Sequence, residues 1–168
     1  MIQLKVCMVG SFAVGKTSLV ARFVSSLFSE KYLTTIGVKV DQKDLVVGSQ
    51  AVRLIIWDLA GEDAFARLRH TFLRGAAGYL LVADGTRPAT LDKALQINSE
   101  IQKGVGALPF ALVLNKADLA DEWQIGADRI EELERSGVPV FRSSARDGKG
   151  VEAIFSHLAS INLVGRAS

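Results

Sequence analysis

Short runs of apolar residues alternate along this chain with stretches in which apolar residues recur at every third or fourth position. The first run, residues 4–9, is mostly apolar and ends at Gly10, which is typical of a strand buried on both faces. Runs of the same kind predict three further parallel strands, central or nearly central in the sheet, at residues 79–83, 110–114 and 138–141. The pattern therefore predicts several buried strands separated by segments long enough for helices.

The segments between these runs have helical spacing. After Lys16, apolar residues at positions 19, 20, 23, 24 and 27 predict a helix with one face on a sheet. Residues 90–103 and, more weakly, 128–135 repeat this pattern, and a last helix begins at Val151 and continues through Ile161. Alternating strands and helices favour parallel strand pairs, because a parallel connection needs a crossover segment.

One hairpin interrupts the alternation. Residues 38–47 are more polar than the other predicted strands, as expected of an edge strand, and Gly48 and Ser49 predict a tight turn into a partner strand at residues 52–58. The sequence therefore predicts an α/β fold with a mostly parallel sheet of about six strands, one antiparallel edge hairpin and helices on both faces. All 168 residues are expected to form a single domain.

Composition narrows the class of protein. Hydrophobic residues make up 49% of the chain, which is enough for a core without disulfides, and the one cysteine, Cys7, cannot form an internal bridge. No apolar run approaches the roughly 18 residues of a membrane span, and no signal-peptide pattern follows Met1, so we expect a soluble, cytoplasmic protein. A formal charge of +2 without basic clusters argues against nucleic-acid binding.

The segment between the first strand and the first helix has the spacing of a phosphate-binding loop. Glycines at positions 10 and 15, followed by Lys16 and Thr17, fit the pattern G-x-x-x-x-G-K-[ST] between a strand and a helix. The glycines let backbone N–H groups turn toward a β-phosphate, Lys16 neutralises phosphate oxygens, and the Thr17 hydroxyl suits Mg²⁺. A glycine-rich turn followed by a solvated lysine is the alternative. The residues expected to contact a nucleotide here are Gly10, Ser11, Phe12, Ala13, Val14, Gly15, Lys16, Thr17 and Ser18.

A second polar segment, Asn115-Lys116-Ala117-Asp118, follows the strand predicted at residues 110–114. Open α/β sheets bind ligands at the carboxyl ends of their strands, so this segment is expected in the binding site. The Asp118 carboxylate matches the two adjacent N–H donors of guanine, whereas adenine presents an acceptor that would leave it unpaired. Lys116 can cover the base, and Asn115 can bridge to neighbouring loops. A small-residue loop after the last strand would bring backbone N–H groups to the guanine O6; its residues are Ser143, Ser144, Ala145 and Arg146.

With these motifs the chain resembles the small GTPases of the Ras superfamily over nearly its whole length, and the Rab branch most of all. Three further segments support this resemblance: Thr34-Thr35-Ile36-Gly37-Val38, Ile56-Trp57-Asp58-Leu59-Ala60-Gly61-Glu62-Asp63 and Arg74-Gly75-Ala76. It implies the fold of a P-loop nucleotide-binding protein, with GTP, GDP and Mg²⁺ as ligands. It also implies two switch loops that are ordered by the γ-phosphate.

The resemblance implies roles for individual residues. Thr35 would coordinate Mg²⁺ and contact the γ-phosphate, and Asp58 would hold the metal through water, so that Thr17, Thr35 and Asp58 form the metal site. Gly61 would donate its N–H to the γ-phosphate, and Phe28 would pack on the edge of the base. Three of these residues have a structural alternative: an ordinary strand residue at position 35, a strand-end cap at 58 and a core side chain at 28.

One departure from the family pattern concerns the chemistry. A glutamine that orients the attacking water usually follows Asp-x-x-Gly, but Glu62 occupies this position here. An ionised glutamate only accepts hydrogen bonds and adds negative charge beside the γ-phosphate, so slow intrinsic hydrolysis is expected. In the opposing view the phosphate keeps Glu62 protonated, so that it can donate, or Glu62 acts as a base. The catalytic residues expected are Lys16, Thr35, Gly61 and Glu62.

The second departure is Phe12, where the family usually has a small residue that faces the γ-phosphate. The ring would either shield the phosphate and block a partner's arginine, a contribution on the order of 10³ or more in rate, or pack on switch residues such as Phe65. Arg67 and Arg69 follow Glu62 closely and would supply charge within the chain, but solvated positions are favoured for both.

The expected function is a GTP-dependent switch that hydrolyses GTP to GDP and phosphate. The protein is expected to be a monomer that binds effector, exchange-factor and activating proteins through residues 32–45 and 60–75, approximately. The alternatives are a non-hydrolysing GTP-dependent binding module and a nucleotide kinase, although no acceptor-binding insertion is obvious. The last residues include neither a cysteine nor a polybasic run, so either this protein works without a lipid anchor or a lipidated tail has been removed.

Overall fold

Strands and helices alternate along the chain as predicted, apart from one early hairpin. A computed structural model describes residues 1–24, 32–33, 38–59 and 66–167. The strands are β1 (Ile2–Gly10), β2 (Tyr32–Leu33), β3 (Lys39–Val47), β4 (Gln50–Asp58), β5 (Gly78–Asp84), β6 (Phe110–Asn115) and β7 (Val140–Arg142). The helices are α1 (Lys16–Val24), α2 (Ala66–Leu73), α3 (Pro88–Gly104), α4 (Ala127–Arg135) and α5 (Val151–Ala167). None of the helices in these ranges combines the length and the hydropathy that a membrane span requires.

The described strands form one sheet in the order β2-β3-β4-β1-β5-β6-β7. β1 is parallel to β4 and β5, β5 is parallel to β6, and β6 is parallel to β7, whereas β3 is antiparallel to β2 and β4. The predicted α/β fold, with a mostly parallel sheet and an antiparallel hairpin, is confirmed. The strand beyond the six expected is β2, whose two residues are too few to produce a periodic pattern.

The hairpin of β3 and β4 lies at one edge of the sheet as predicted, but the outermost strand of the sheet is β2 and not β3. The backbone of β3 pairs with β2 at two positions, Val40 with Tyr32 and Lys39 with Leu33. The polarity of β3 instead reflects partial exposure of its faces, since Asp41 is the one residue of this strand that is fully buried. A polar strand pattern therefore indicates uncovered faces and does not by itself show that a neighbouring strand is absent.

The two faces of the sheet have separate apolar cores. Alternate residues of β1 point to opposite faces: Val6 and Met8 belong to a core with α1 and α5, and Cys7 and Val9 belong to a core with α2, α3 and α4. Each of these four residues is at most 1% exposed. Helices therefore cover both faces, as predicted, and hold the sheet from both sides.

Helix α2 does not appear in the hydrophobic pattern. It has eight residues, and its contacts with the core come from Phe72 and Leu73 in its last turn. Helical periodicity is hard to recognise over two turns, so a helix of this length is easily missed. The predicted first helix included position 27, which lies outside the described residues, and α1 is described to Val24.

The carboxyl ends of the parallel strands meet at one edge of the sheet. The segments that follow β1, β5, β6 and β7 are residues 11–15, 85–87, 116–126 and 143–150. Parallel strands that run in the same direction bring the loops at their ends side by side. The polar segments that were predicted to bind a ligand therefore lie together at this edge.

We expect the thiol of Cys7 to be unreactive in the folded protein. Cys7 is 0% exposed, and burial raises its pKa to about 12, so very little thiolate is present at pH 8. Iodoacetamide should modify the native protein at less than about 1% of the rate measured in denaturing urea, as followed by mass spectrometry. Fast modification without unfolding would show that β1 opens readily, which contradicts its central place in the sheet.

Candidate functional site

The loop between β1 and α1 has a tightly constrained backbone. Gly10 and Gly15 have φ angles of +151° and +103°, and Ala13 has a φ angle of +60°, in a region that L residues rarely adopt. A Cβ atom on Gly10 would lie 2.3 Å from the carbonyl oxygen of Val82 in β5. A Cβ atom on Gly15 would lie 2.2 Å from Nδ2 of Asn115. Glycine is therefore required at both positions by neighbouring atoms as well as by backbone conformation.

Lys16, the first residue of α1, extends its side chain back across this loop. Its Nζ donates hydrogen bonds to the carbonyl oxygens of Gly10 at 3.1 Å and Ser11 at 2.9 Å. Lys16 is 7% exposed; burial lowers its pKa, the charge of Asp58 opposes this shift, and Arg69 adds to it. A buried ammonium group at a helix N-terminus is well suited to an anionic ligand.

Thr17 and Asp58 bring two oxygen atoms together at the start of α1 and the end of β4. The Thr17 hydroxyl donates a hydrogen bond to Oδ2 of Asp58 at 2.5 Å. Asp58 is 7% exposed, whereas Thr17 is exposed. The described residues contain no group of three His, Cys, Asp or Glu side chains that could hold a metal by themselves. A cation at this pair would therefore need further oxygen ligands, which phosphates or water can supply.

The side chain of Asn115, the last residue of β6, connects three segments. Its Nδ2 donates a hydrogen bond to the carbonyl oxygen of Val14 at 3.0 Å. Its Oδ1 accepts hydrogen bonds from Oγ of Ser143 at 3.1 Å and from the backbone N of Ala145 at 3.3 Å. Asn115 is 2% exposed, so its loss would leave buried polar groups without partners. One amide therefore ties the phosphate-type loop to the segment after β7.

The loop after β7 also orients Asp118. Oγ of Ser144 donates a hydrogen bond to Oδ1 of Asp118 at 2.9 Å and accepts one from the backbone N of Asp147 at 3.0 Å. Ser144 is 1% exposed, Asp118 is partly buried, and Arg146 is exposed in the same loop. A carboxylate has about four acceptor positions, so Asp118 retains capacity for donors on a ligand.

Sequence reasoning missed Asp84, a charged residue of this edge. It is the last residue of β5, it is 0% exposed, and its Oδ2 lies 2.8 Å from Nζ of Lys116. The same Nζ donates a hydrogen bond to the carbonyl oxygen of Ala13 at 3.1 Å. The signal that could have found Asp84 is a carboxylate directly after the apolar run of residues 79–83, because a charge at the end of a buried strand needs a partner.

Phe12 and Arg69 have different environments. Phe12 is 72% exposed. Arg69 is 7% exposed, and its Nη1 lies 3.6 Å from Oε2 of Glu100 on α3, so the favoured solvated position does not hold for this arginine. The contact between Phe12 and Phe65 falls outside the described residues, as does the side chain of Arg67.

Four of the predicted site residues also lie outside the described residues: Phe28, Thr35, Gly61 and Glu62. Their contacts with the base, the metal and the γ-phosphate stay predictions. The described members of the set all lie in or beside the loops after β1, β4, β6 and β7, and Ser18 is exposed on α1.

Comparison with known proteins identifies the family. A family model described as the Ras family matches residues 5–163, which is most of the chain. The chain belongs to the Ras family. Within the Ras superfamily, its predicted resemblance to the Rab branch agrees with the names of its curated relatives.

This Ras-family chain is similar to Rab proteins from animals and plants. It is 34% identical to human Ras-related protein Rab-21 over 156 residues, which cover 92% of this chain and 69% of that protein. It is 34% identical to Ras-related protein Rab7 of Drosophila melanogaster over 163 residues, or 93% and 78% of the two chains. It is 32% identical to Ras-related protein RABA4a of Arabidopsis thaliana over 168 residues, or 98% and 74%. The predicted Rab-like character is confirmed.

Membership of the Ras family establishes the general function. The protein is a small GTPase that binds guanine nucleotides, hydrolyses GTP and acts as a GTP-dependent switch. Members of this family interact with effectors, exchange factors and activating proteins. The predicted function is therefore confirmed at this level.

We expect Gly15→Ala to lower the affinity for GDP at least about tenfold, because the new methyl group would displace the Asn115 amide that holds the loop. Gly48→Ala is the matched control: Gly48 also has a positive φ, of +62°, but no atom lies within 4 Å of its added Cβ. The control should lose about 1 kcal/mol of unfolding free energy and keep its GDP affinity. Calorimetric titration with GDP and urea unfolding measure both quantities, and equal GDP affinities for the two variants would contradict the expected clash.

Proposed function

We propose that this Ras-family protein binds GTP and GDP along the carboxyl edge of its sheet. The phosphates would lie in the loop of residues 10–17, and the base would lie against Asp118. The observation that carries this assignment is the side chain of Asn115, the residue that begins the segment with Asp118. It forms hydrogen bonds with Val14 in the phosphate loop and with Ala145 in the loop after β7. A nucleotide has anionic phosphates at one end and a base at the other, so it matches a phosphate loop fixed to a base-selecting loop.

The phosphates are proposed to be held by backbone N–H groups and one lysine. The positive φ angles of Gly10, Ala13 and Gly15 support a loop that turns its N–H groups inward. Lys16 would exchange part of its contact with the carbonyl oxygens of Gly10 and Ser11 for β- and γ-phosphate oxygens. The remaining contacts of this group are assigned to Phe12, Val14, Thr17 and Ser18.

Mg²⁺ is the proposed metal. Thr17 would ligate it directly, Asp58 would hold it through water, and Thr35 would add a third oxygen. The close approach of the Thr17 hydroxyl to the buried Asp58 carboxylate supports this set, because hard cations favour oxygen ligands. When bound, Mg²⁺ supplies positive charge to the β- and γ-phosphate oxygens.

Guanine is proposed to be selected by Asp118, which accepts hydrogen bonds from the two adjacent N–H groups of the base. Lys116 would cover one face of the ring, and Phe28 would pack on its edge. The backbone around Ser144, Ala145 and Arg146 would donate to O6. The hydrogen bond from Ser144 supports this assignment, because it orients Asp118 without occupying all of its acceptor positions.

The proposed reaction is direct attack of water on the γ-phosphate, with slow intrinsic turnover. Lys16, Thr35 and the N–H of Gly61 would stabilise the developing charge, and Glu62 would take the place of the usual water-orienting glutamine. An ionised Glu62 adds negative charge beside the γ-phosphate, which is itself negatively charged. The exposure of the Phe12 ring supports a role for it as a steric obstacle on the route by which a partner's arginine would arrive.

Effector, exchange-factor and activating proteins are proposed to bind residues 32–45 and 60–75. The mostly exposed or half-buried residues of β3 support this surface, since they leave side chains available to a partner. Residues 1–168 are proposed to act as one domain and as a monomer.

The base assignment is tested with Asp118→Asn. We expect guanine nucleotides to bind at least about 100-fold more weakly and xanthosine diphosphate to bind more tightly, because the new amide N–H₂ can donate to the carbonyl that xanthine has in place of the guanine amine. Competition against fluorescent GDP measures both affinities. Asp121→Asn, in the exposed turn that follows, is the control and should not change either affinity. Unchanged GDP affinity in Asp118→Asn would show that the base lies elsewhere.

The catalytic assignment is tested by single-turnover hydrolysis of bound GTP. We expect Glu62→Gln to hydrolyse GTP at least about tenfold faster than the wild-type protein, because glutamine can both accept from and donate to the attacking water and the phosphate. Phe12→Gly should respond more strongly than the wild-type protein to a partner that supplies an arginine.

Glu152→Gln removes the same charge from the first turn of α5 and should hydrolyse GTP at the wild-type rate. A wild-type rate above that of Glu62→Gln would refute the idea that Glu62 impairs the reaction. If none of these variants hydrolyses GTP, with or without a cell extract, the result would instead favour the non-hydrolysing binding module.

A further inference from the structure

Asp84 is a fully buried carboxylate with four hydrogen-bond donors. Its Oδ1 accepts from the backbone N and Oγ1 of Thr86, at 2.9 and 2.7 Å. Its Oδ2 accepts from Nε of Arg87 at 3.0 Å and from Nζ of Lys116 at 2.8 Å. Each carboxylate oxygen therefore has two partners, and one oxygen is shared between two cations.

The two cations connect Asp84 to the loop between β1 and α1. Nζ of Lys116 donates to the carbonyl oxygen of Ala13 at 3.1 Å, and Nη2 of Arg87 donates to that of Phe12 at 3.2 Å. We call Asp84, Arg87 and Lys116 the Asp84 cluster. It links the segments after β1, β5 and β6, which are otherwise separate in sequence.

The charge of Asp84 is maintained by its donors. Burial opposes ionisation, but the hydrogen bonds from Lys116, Thr86 and Arg87 outweigh it and lower the pKa of Asp84 to about 2. The carboxylate therefore stays ionised at neutral pH and holds the Lys116 ammonium at a defined position. Without this partner the ammonium would keep only the carbonyl of Ala13, at the end of a flexible four-carbon side chain.

The backbone of Asp84 is held independently of its carboxylate. The N of Asp84 donates to Oγ1 of Thr90 at 2.8 Å, and the Thr90 hydroxyl lies 2.7 Å from the carbonyl oxygen of Arg87, to which it donates. The N of Gly85 donates to the carbonyl oxygen of Asn115 at 3.0 Å. A substitution that changes only the carboxylate should therefore preserve the turn between β5 and α3.

We propose that Asp84 is a positioning residue for nucleotide binding, which fixes Lys116 against the phosphate loop and thereby slows the release of bound guanine nucleotide. The proposal rests on the assignment of Lys116 to the base and of residues 10–17 to the phosphates. A nucleotide leaves only when both its base and its phosphates lose their contacts. Asp84 acts on both ends at once, because Lys116 belongs to the segment assigned to the base and donates to the Ala13 carbonyl in the phosphate loop. Arg87, its second cation, holds the neighbouring carbonyl of Phe12.

Asp84→Asn tests this role, since it keeps the shape of the side chain and removes its charge. We expect methylanthraniloyl-GDP, chased with unlabelled GDP in Mg²⁺ buffer, to dissociate at least about tenfold faster from this variant. Arg87→Ala should accelerate release less, because the Arg87 side chain is 47% exposed and its hydrogen bonds compete with water.

A double-mutant cycle separates positioning from general damage to the fold. If Asp84 acts through Lys116, then Asp84→Asn should accelerate release by less than about threefold when Lys116 is already alanine. Thr90→Val is the matched structural control, because it removes the hydroxyl that supports the same turn and leaves both cations in place. It should lower the thermal unfolding temperature and change the release rate by no more than about twofold.

Three results would overturn the proposal. The first is a wild-type rate of nucleotide release from folded Asp84→Asn. The others are an undiminished effect of Asp84→Asn in the Lys116→Ala background, or an acceleration by Thr90→Val as large as that by Asp84→Asn. If Asp84→Asn does not fold, Asp84→Glu replaces it in the test. Glutamate keeps the negative charge but displaces it from Lys116, so the proposal requires the same acceleration of nucleotide release from that variant. A wild-type protein that fails to bind methylanthraniloyl-GDP is a separate result, which would refute the proposed nucleotide site and not the role of Asp84 alone.

Discussion

The hydrogen bonds of the buried Asn115 amide are the interaction on which the proposed nucleotide site depends. They join Val14 in one loop to Ser143 and Ala145 in another, although these residues are far apart in sequence. The amide can reach the first loop only because Gly15 has no Cβ atom. The residue types at positions 15 and 115 are therefore not independent, and each is explained by the other more than by its own local structure.

Two lysines at this edge of the sheet illustrate opposite uses of charge. Lys16 is buried among carbonyl oxygens, with a lowered pKa that reflects its burial, so an anionic ligand would gain a partner whose desolvation cost has already been met. Lys116 is paired with Asp84, and its charge serves to hold protein segments together. The sequence motifs describe both lysines as contacts to phosphate or base. They do not distinguish a charge that binds a ligand from a charge that holds protein segments together.

Much of this molecule can be predicted from sequence because it depends on local periodicity. The buried strands, the larger helices and the spacing of glycines before Lys16 are each visible within about 20 residues. What the sequence does not reveal depends on contacts between distant segments. The burial of Arg69 requires the position of Glu100 on α3, and the partners of Asp84 come from two other loops. The two-residue strand β2 is likewise defined only by its neighbour.

The link that Asn115 makes between two loops has a consequence for the thermodynamics of binding. If the base end and the phosphate end of a nucleotide bind to loops that are held in a fixed relation, then binding one end places the other at a high effective concentration. The entropy of arranging the two loops has been lost during folding and does not have to be lost again when the ligand binds. Such a site acts as a chelator, so an intact nucleotide binds far more tightly than its separated base and phosphates would.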